Sequence, residues 1–274
     1  MPYNARDRGI HYLLPETSAS MDSGMRDKII ELAKSMGAYY VGFASPELWD
    51  SVDMVSRIRP ECRPASILQG CKTVVVIGVP IPYAVLATAP SIAYNQLYNT
   101  TNSLLDQITL RLSLELMCQD YEAMPLPRDG YHGIQGLKDM PFAFFSHRHA
   151  AYLAGMGTFG VNNVLLTKEH GPRVRWTSLL TTADLGSSKP TEEEVCIHCN
   201  RCVKACPVNA LTKGNYPDNL TDKNPCILRS EELAKKKISP CGLCISSCPI
   251  GLKKDAARPT DESIEEIRKY IVTK

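Results

Sequence analysis

The sequence has no excess of charge of one sign. Its 31 Lys and Arg oppose 29 Asp and Glu, a formal net charge of +2, and no basic tail or stripe interrupts the balance. Composition therefore argues neither for nor against a nucleic-acid partner. An export signal is also lacking: the opening MPYNARDRGIHYLLPETSAS has no charged stretch followed by an apolar one. Nor is there an unbroken apolar run of the about 20 residues that a bilayer span needs. The nearest approach, Thr73 to Tyr94, is cut by Pro80, Pro82 and Pro90 and reads as a buried strand, VVVIGV, followed by a loop. Low-complexity tracts are absent. These gaps together predict a soluble cytoplasmic protein with no membrane partner.

What is present in excess is cysteine. Eight of the eleven cysteines fall between Cys196 and Cys248, while Cys62, Cys71 and Cys118 are scattered. A disulfide framework belongs to short exported chains. The clustered cysteines read instead as metal ligands, which must stay reduced. The three scattered ones read as small apolar core residues.

The first half of the cysteine region is Cys196-Ile-His-Cys199-Asn-Arg-Cys202-Val-Lys-Ala-Cys206-Pro207. This is the spacing of bacterial two-cluster ferredoxins, whose fourth cysteine ligates the other cluster. Three cysteines spaced by two residues wrap a loop around one cube, and the fourth points away toward a second. The second half, Cys241-Gly-Leu-Cys244-Ile-Ser-Ser-Cys248-Pro249, lacks a third close cysteine, and Cys226 upstream is the substitute. The expected ligand sets are therefore Cys196, Cys199, Cys202 and Cys248 on one 4Fe–4S cluster, and Cys206, Cys226, Cys241 and Cys244 on another. Zinc also favours CxxC pairs and is the alternative. Three cysteines within seven residues followed by Cys-Pro favour the cubane clusters. His198 and His170 read as structural.

Ahead of these motifs, periodicity predicts a helix over Met25–Met36, capped by Ser23 and ended by Gly37. Tyr39–Ala44 and Thr73–Val79 read as strands, the second central and buried on both faces. Leu97–Met117 carries a helical stripe of Leu97, Leu104, Leu105, Ile108, Leu112 and Leu116. A breaker-rich loop spans Met124–Gly136, and a short helix follows around His149–Leu153. Residues 163–167 and 173–182 read as a strand pair joined by KEHGP. A polar linker, Ser187–Glu194, divides residues 1–186 from 187–274, and Thr260–Ile271 reads as a closing helix.

Far more chain precedes the cysteines than a ferredoxin needs. Its motifs run in a recognisable order: a helix leading into the Gly37–Ala44 strand, Lys72–Val76, then His-Ala-Ala-Tyr-Leu-Ala-Gly-Met-Gly-Thr-Phe-Gly-Val-Asn-Asn at 149–163. Leu-Leu-Thr-Thr at 179–182 and Asn-Pro-Cys226-Ile complete it. The sequence resembles the epoxyqueuosine reductase family and, more distantly, the reductive dehalogenases. That resemblance implies an α/β (α+β) fold: a cobalamin-binding domain with a helix-flanked sheet, followed by a ferredoxin-like domain with two 4Fe–4S clusters. It implies electron flow from a ferredoxin- or flavodoxin-type donor through the clusters to cobalamin, which reduces a small-molecule substrate.

Within that resemblance AGMGTFGVNN is the ligand segment. Gly155, Gly157, Gly160 and Asn162 become the expected cofactor contacts, since bare backbone can approach a ligand closely. Glycine spacing alone leaves a tight, closely packed turn equally open. The chain departs from the family where its acidic pair stands: Pro141 and His147 occupy those places, and Asp139 is out of register. Val161 replaces the signature lysine. The family's C-terminal extension has no counterpart before Lys274, which points away from a tRNA substrate. With the acid gone, His147 is the expected proton donor, with Tyr131 and Tyr152 as tyrosine candidates of the dehalogenase type. A non-catalytic electron carrier for a corrinoid protein or flavoprotein, and a flavin in the same pocket, are the competing readings.

Overall fold

A computed structural model describes residues 22–128, 133–253 and 255–269. Helix α1 (Ser23–Ser35) starts where Asp22, not Ser23, accepts the Met25 backbone N–H at 2.9 Å. The aspartate occupies the position just before the first helical residue, where a side-chain oxygen can reach an orphan donor. Strand β1 (Tyr40–Ala44) and strand β2 (Thr73–Pro80) follow. The long helix α2 (Ile92–Met117) begins earlier than its leucine stripe predicts, because Ser91 caps it through the Tyr94 N–H at 3.0 Å. Next come β3 (Ala123–Pro125), α3 (Gly133–Asp139) and α4 (His147–Leu153). The short strands β4 (Thr158–Phe159) and β5 (Leu165–Leu166) precede β6 (Val174–Thr181).

The main sheet has the order β1-β2-β6-β3, and every pairing in it is antiparallel. Strand β2 is central, as its β-branched run predicts, and its alternate residues serve two cores. Val75 and Ile77 join Leu105, Ile108, Leu112 and Leu116 of α2 under one face. Val74 and Val76 join Trp49, Phe145, Ala150 and Leu153 under the other. The period of two in strands sends neighbours to opposite faces. Each fully buried aliphatic side chain contributes roughly 1.5–3 kcal/mol. Among the described residues, no helix is long and apolar enough to cross a membrane.

The expected strand pair 163–167 with 173–182 does not form as a hairpin. Strand β5 pairs back onto β4, and β6 enters the main sheet between β2 and β3. The isolated Thr167–Gly171 bridge closes the KEHGP turn and does not join the two predicted strands. The reason lies in the glycines. A Cβ on Gly157 would fall inside contact distance of the Leu166 backbone carbonyl, and one on Gly160 would meet the Leu166 side chain at 2.8 Å. These glycines let β4 and β5 close on each other. Gly157→Ala is expected to cost about 3 kcal/mol or more, since the obstacle is backbone and cannot rotate away. Urea unfolding followed by circular dichroism checks this, and an unchanged midpoint would refute the packing role.

Candidate metal centre and adjoining cavity

The cysteine region is built from tight turns. His198 and Asn200 take left-handed backbone, φ 49° and 57°, so the chain curls between Cys196 and Cys202 and opens the short helix α5 (Arg201–Lys204). His198 Nε2 lies 2.7 Å from Glu194 at the surface, which fits a structural role. Cys226 sits in the first turn of α6 (Lys223–Lys235), capped by Asp222. Gly242, at φ 71°, starts α7 (Leu243–Ser246), and a Cβ there would press on the Tyr94 ring at 2.6 Å. Only glycine meets both demands. Helix α8 (Asp261–Lys269) follows, with Ile264 buried.

The thiols fall into two sets. Cys196, Cys199, Cys202 and Cys248 line one pocket whose other walls include Val161, Leu166 and Ile250. Cys206, Cys226, Cys241 and Cys244 line a second, much larger cavity. The electrostatics divide the same way. Burial pushes the Cys248 and Cys202 thiols up, and each is raised further by Cys196 and Cys199. Burial likewise raises Cys226, helped by Cys241 and Cys206. Cys244 is pushed up to about 12, mostly by burial, then by Cys241, Cys226, Cys202 and Cys206. Metal ligation must overcome this cost by stabilising the thiolates. Among the described residues, no three His, Cys, Asp or Glu side chains converge tightly enough to hold a single metal ion.

The cysteine region is tied to the rest of the fold by Arg173 and Asn163, which the sequence did not single out, and by Asn162, which it did. Arg173, 2% exposed at the start of β6, donates to the carbonyls of Cys248 at 2.9 Å and of Ile250. Burial pulls its pKa down, and the Cys248 thiolate opposes that. Asn163 accepts from the Thr221 N–H at 2.6 Å and donates to the Asn219 carbonyl at 3.0 Å. Asn162 donates to the Cys244 carbonyl at 3.4 Å and lines both the pocket and the cavity.

The larger cavity has a volume of about 810 Å³. Tyr216 and His149 stand in its wall, the hydroxyl 2.6 Å from His149 Nε2. His149 Nδ1 lies 2.6 Å from Ser146 Oγ, and Phe159 stacks on Tyr216 at 4.2 Å. Burial raises the Tyr216 pKa, while Arg148 and Arg57 oppose it. Burial, with help from Arg148, drops His149 to about 3. The imidazole is therefore neutral in the folded protein, with one ring nitrogen against the tyrosine hydroxyl and the other against Ser146 Oγ.

That depression makes stability pH-dependent. Below its ordinary value of 6.5 the unfolded imidazole binds a proton that the folded one refuses until about pH 3. Stability is full above pH 6.5 and falls as pH drops through that window. Between pH 7 and pH 5 the expected loss from this group is about 2 kcal/mol. Urea midpoints of wild type and His149→Gln at the two pH values measure it. Equal pH dependence in both proteins would sink the assignment.

Several expected site residues lie elsewhere. His147 is buried away from the cavity: Nε2 donates to the Pro127 carbonyl at 3.1 Å and Nδ1 faces Ser178 Oγ at 3.0 Å. It braces the loop to β6. Tyr152 packs against the core beside Phe159. Tyr131 lies outside the described residues. Gly155, Gly157 and Gly160 are not among the cavity-lining residues, whereas Asn162 is. His170 accompanies Tyr40 in the turn, with Nδ1 2.7 Å from the Tyr40 hydroxyl. Cys62 is not a core residue either, for it lines the cavity.

Comparison with known proteins agrees with these features. A 4Fe–4S binding domain model matches residues 190–212. The tetrachloroethene reductive dehalogenase of Dehalobacter restrictus is 25% identical over 224 residues, covering 70% of this chain and 38% of that enzyme. The epoxyqueuosine reductase of Synechococcus sp. is 32% identical over 105 residues, covering 35% of this chain and 31% of that protein. The chain thus spans well under two thirds of the curated relatives it matches. In fold it resembles a solved reductive dehalogenase described in terms of B12-dependent dehalogenation, with a TM-score of 0.63 at 18% identity. That match covers 89% of this chain and 33% of the other. Solved epoxyqueuosine reductases share the mixed α/β fold as well.

Proposed function

We propose that this chain, related to those two groups of reductases, is an iron–sulfur reductase with two 4Fe–4S clusters and a cobalamin in the cavity. Its substrate is a small electrophile. The residues present fit both kinds of group. Each quartet offers four soft thiolates lining one pocket, the donor set of a cubane cluster. The cavity combines apolar walls (Val164, Leu211, Leu220) with the amides of Asn162, Asn163 and Asn224. That mixture suits a flat macrocycle fringed with amides. When bound, the corrinoid supplies a low-valent cobalt able to reduce an electrophilic carbon.

The observation that carries this reading is the shared wall: one cysteine quartet lines the same cavity as the Tyr216–His149 pair. Electrons from a ferredoxin- or flavodoxin-type donor enter at the other quartet, where Ile197 and Cys199 are exposed. We take residues 1–186 as the cavity-bearing half and 187–274 as the cluster half. Cys206 and Cys248 would each serve the set opposite to their own motif, which would tie the two cluster sites into one unit. Tyr216 holds a proton at its hydroxyl, kept there by burial, and His149 and Ser146 provide the path that restores it. Neutral His149 is suited to pass a proton along rather than store a charge.

Anaerobic reconstitution tests the reading. Iron and sulfide should each approach about eight per chain. Added hydroxocobalamin should bind tightly, with the absorption spectrum of a base-off corrinoid. Iron near four per chain overturns the two-cluster claim. Full iron with no corrinoid binding overturns the cofactor claim and leaves an electron carrier.

A further inference from the structure

Arg173 is a buried cation, 2% exposed, and among the described residues no carboxylate pairs with it. Its guanidinium donates to main-chain carbonyls instead, Nη1 to Cys248 at 2.9 Å and Nη2 to Ile250. The backbone of Arg173 is held on both sides. Its N–H donates to the His170 carbonyl at 3.1 Å, and its carbonyl accepts from the Ile81 N–H at 2.8 Å. The charge is thus fixed under the loop that carries Cys248. Taking a guanidinium out of water costs stability unless an opposite charge meets it. Burial works against the Arg173 charge, and the groups that favour it are the Cys248 thiol and then the Tyr83 phenol, whose ring centre lies 5.8 Å away. Of the two, the thiol is the one that becomes anionic on ligating a metal. The other quartet is built differently. Its Cys244 and Cys226 are shifted by burial and then by neighbouring cysteines, with no cation among those groups.

We propose that Arg173 is the counter-charge of the iron–sulfur site formed by Cys196, Cys199, Cys202 and Cys248, and that it raises the reduction potential of that site above what the same ligands give without it. This rests on the reading of the quartet as a 4Fe–4S site. It deepens that reading by naming a residue outside the ligand set that governs the site's readiness to accept an electron. The step concerned is a one-electron transfer: the donor loses one electron, the site gains it, and no bond is made or broken. Reduction adds negative charge, and a fixed cation nearby favours the reduced form. Hydrogen bonds to carbonyls alone would hold the loop in place without this effect.

The test is a reductive titration of the anaerobically reconstituted full chain, followed by electron paramagnetic resonance, with iron counted in each sample. Cys226→Ser, which lacks a ligand of the other quartet, identifies the couple that belongs to the Cys248 quartet. R173Q and R173M remove the charge. Each should shift the reduction equilibrium of that couple about tenfold or more toward the oxidised form, about 59 mV for one electron, and leave the other couple in place. R173K keeps the charge but loses the forked donor geometry, and it should restore most of the potential. An unchanged or raised potential in the neutral variants at full iron overturns the proposal. So does an equal shift in R173K and R173Q, or an equal shift of both couples. If both neutral variants lose the site's iron while R173K keeps it, the charge is required outright, which supports the proposal. Loss of that iron in all three makes Arg173 a scaffold, and the proposal falls. Failure of the two-cluster reading shows separately, as wild-type iron near four per chain with a single couple, on which the same variants are compared.

Discussion

Cys226→Ser is expected to halve the iron of the reconstituted chain, from about eight atoms to about four. The residue stands apart from both cysteine motifs, on the first turn of α6, yet its thiol is raised by burial and then by the charges of Cys241 and Cys206. A serine there leaves a cubane site with three thiolates. The crossed arrangement makes a sharper version of the experiment. Cys206→Ser and Cys226→Ser should remove the same cluster although they lie in different motif halves, so the double variant should lose no more iron than either single one. Cys202→Ser combined with Cys226→Ser should lose both clusters. This is the pattern of residues that act as a unit within a set and independently between sets. Cys71→Ser provides the control. Burial pushes that thiol up to about 11, and Sγ donates to the Thr73 carbonyl at 3.6 Å, remote from the quartets. Iron analysis with electron paramagnetic resonance of the reduced proteins reads all five variants. Retention of about eight irons by Cys226→Ser would remove it from the ligand set.

The parts of this molecule that sequence reveals are those governed by local repetition. The β-branched run of β2 announces a buried strand, the leucine stripe of α2 its core face, and the cysteine spacing a pair of ligand loops. Pairing partners are not local. Residues 163–167 sit next in sequence to β6, but the missing side chain of Gly157 lets β5 close on β4 instead. At Gly157 and Gly160 the space that a side chain would need is taken by Leu166. The two histidines of Ser146-His147-Arg148-His149 are equal as sequence. Their positions on the short helix separate them, one toward β6 and Pro127, the other toward Tyr216. Arg173 and Tyr216 carry no motif at all. Arg173 matters because the turn before β6 docks on Cys248, and Tyr216 because the loop before α6 returns to the helix α4 that holds His149. Such meetings depend on the whole chain path.

Tyr216→Phe is expected to lower turnover by about 10²- to 10⁴-fold, the range for removal of a placed general acid. The substitution keeps the ring that stacks on Phe159 and deletes the hydroxyl that meets His149. Corrinoid binding, iron content and thermal stability should stay near wild type, so the loss lies in the proton step. A small organohalide with a chemical reductant serves as the trial assay: two electrons and one proton replace the halide by hydrogen, releasing halide ion. His147→Gln separates the two histidine assignments. Its amide can still donate to the Pro127 carbonyl, and because His147 is outside the cavity the rate should change little. His149→Gln should slow turnover less than Tyr216→Phe, because water can restore the tyrosine proton when the relay is broken. A full rate in Tyr216→Phe, or a collapse in His147→Gln at unchanged stability, would return the proton donor to His147. The expected order is Tyr216 most severe, then its partner His149, then His147, which lies outside the cavity lining.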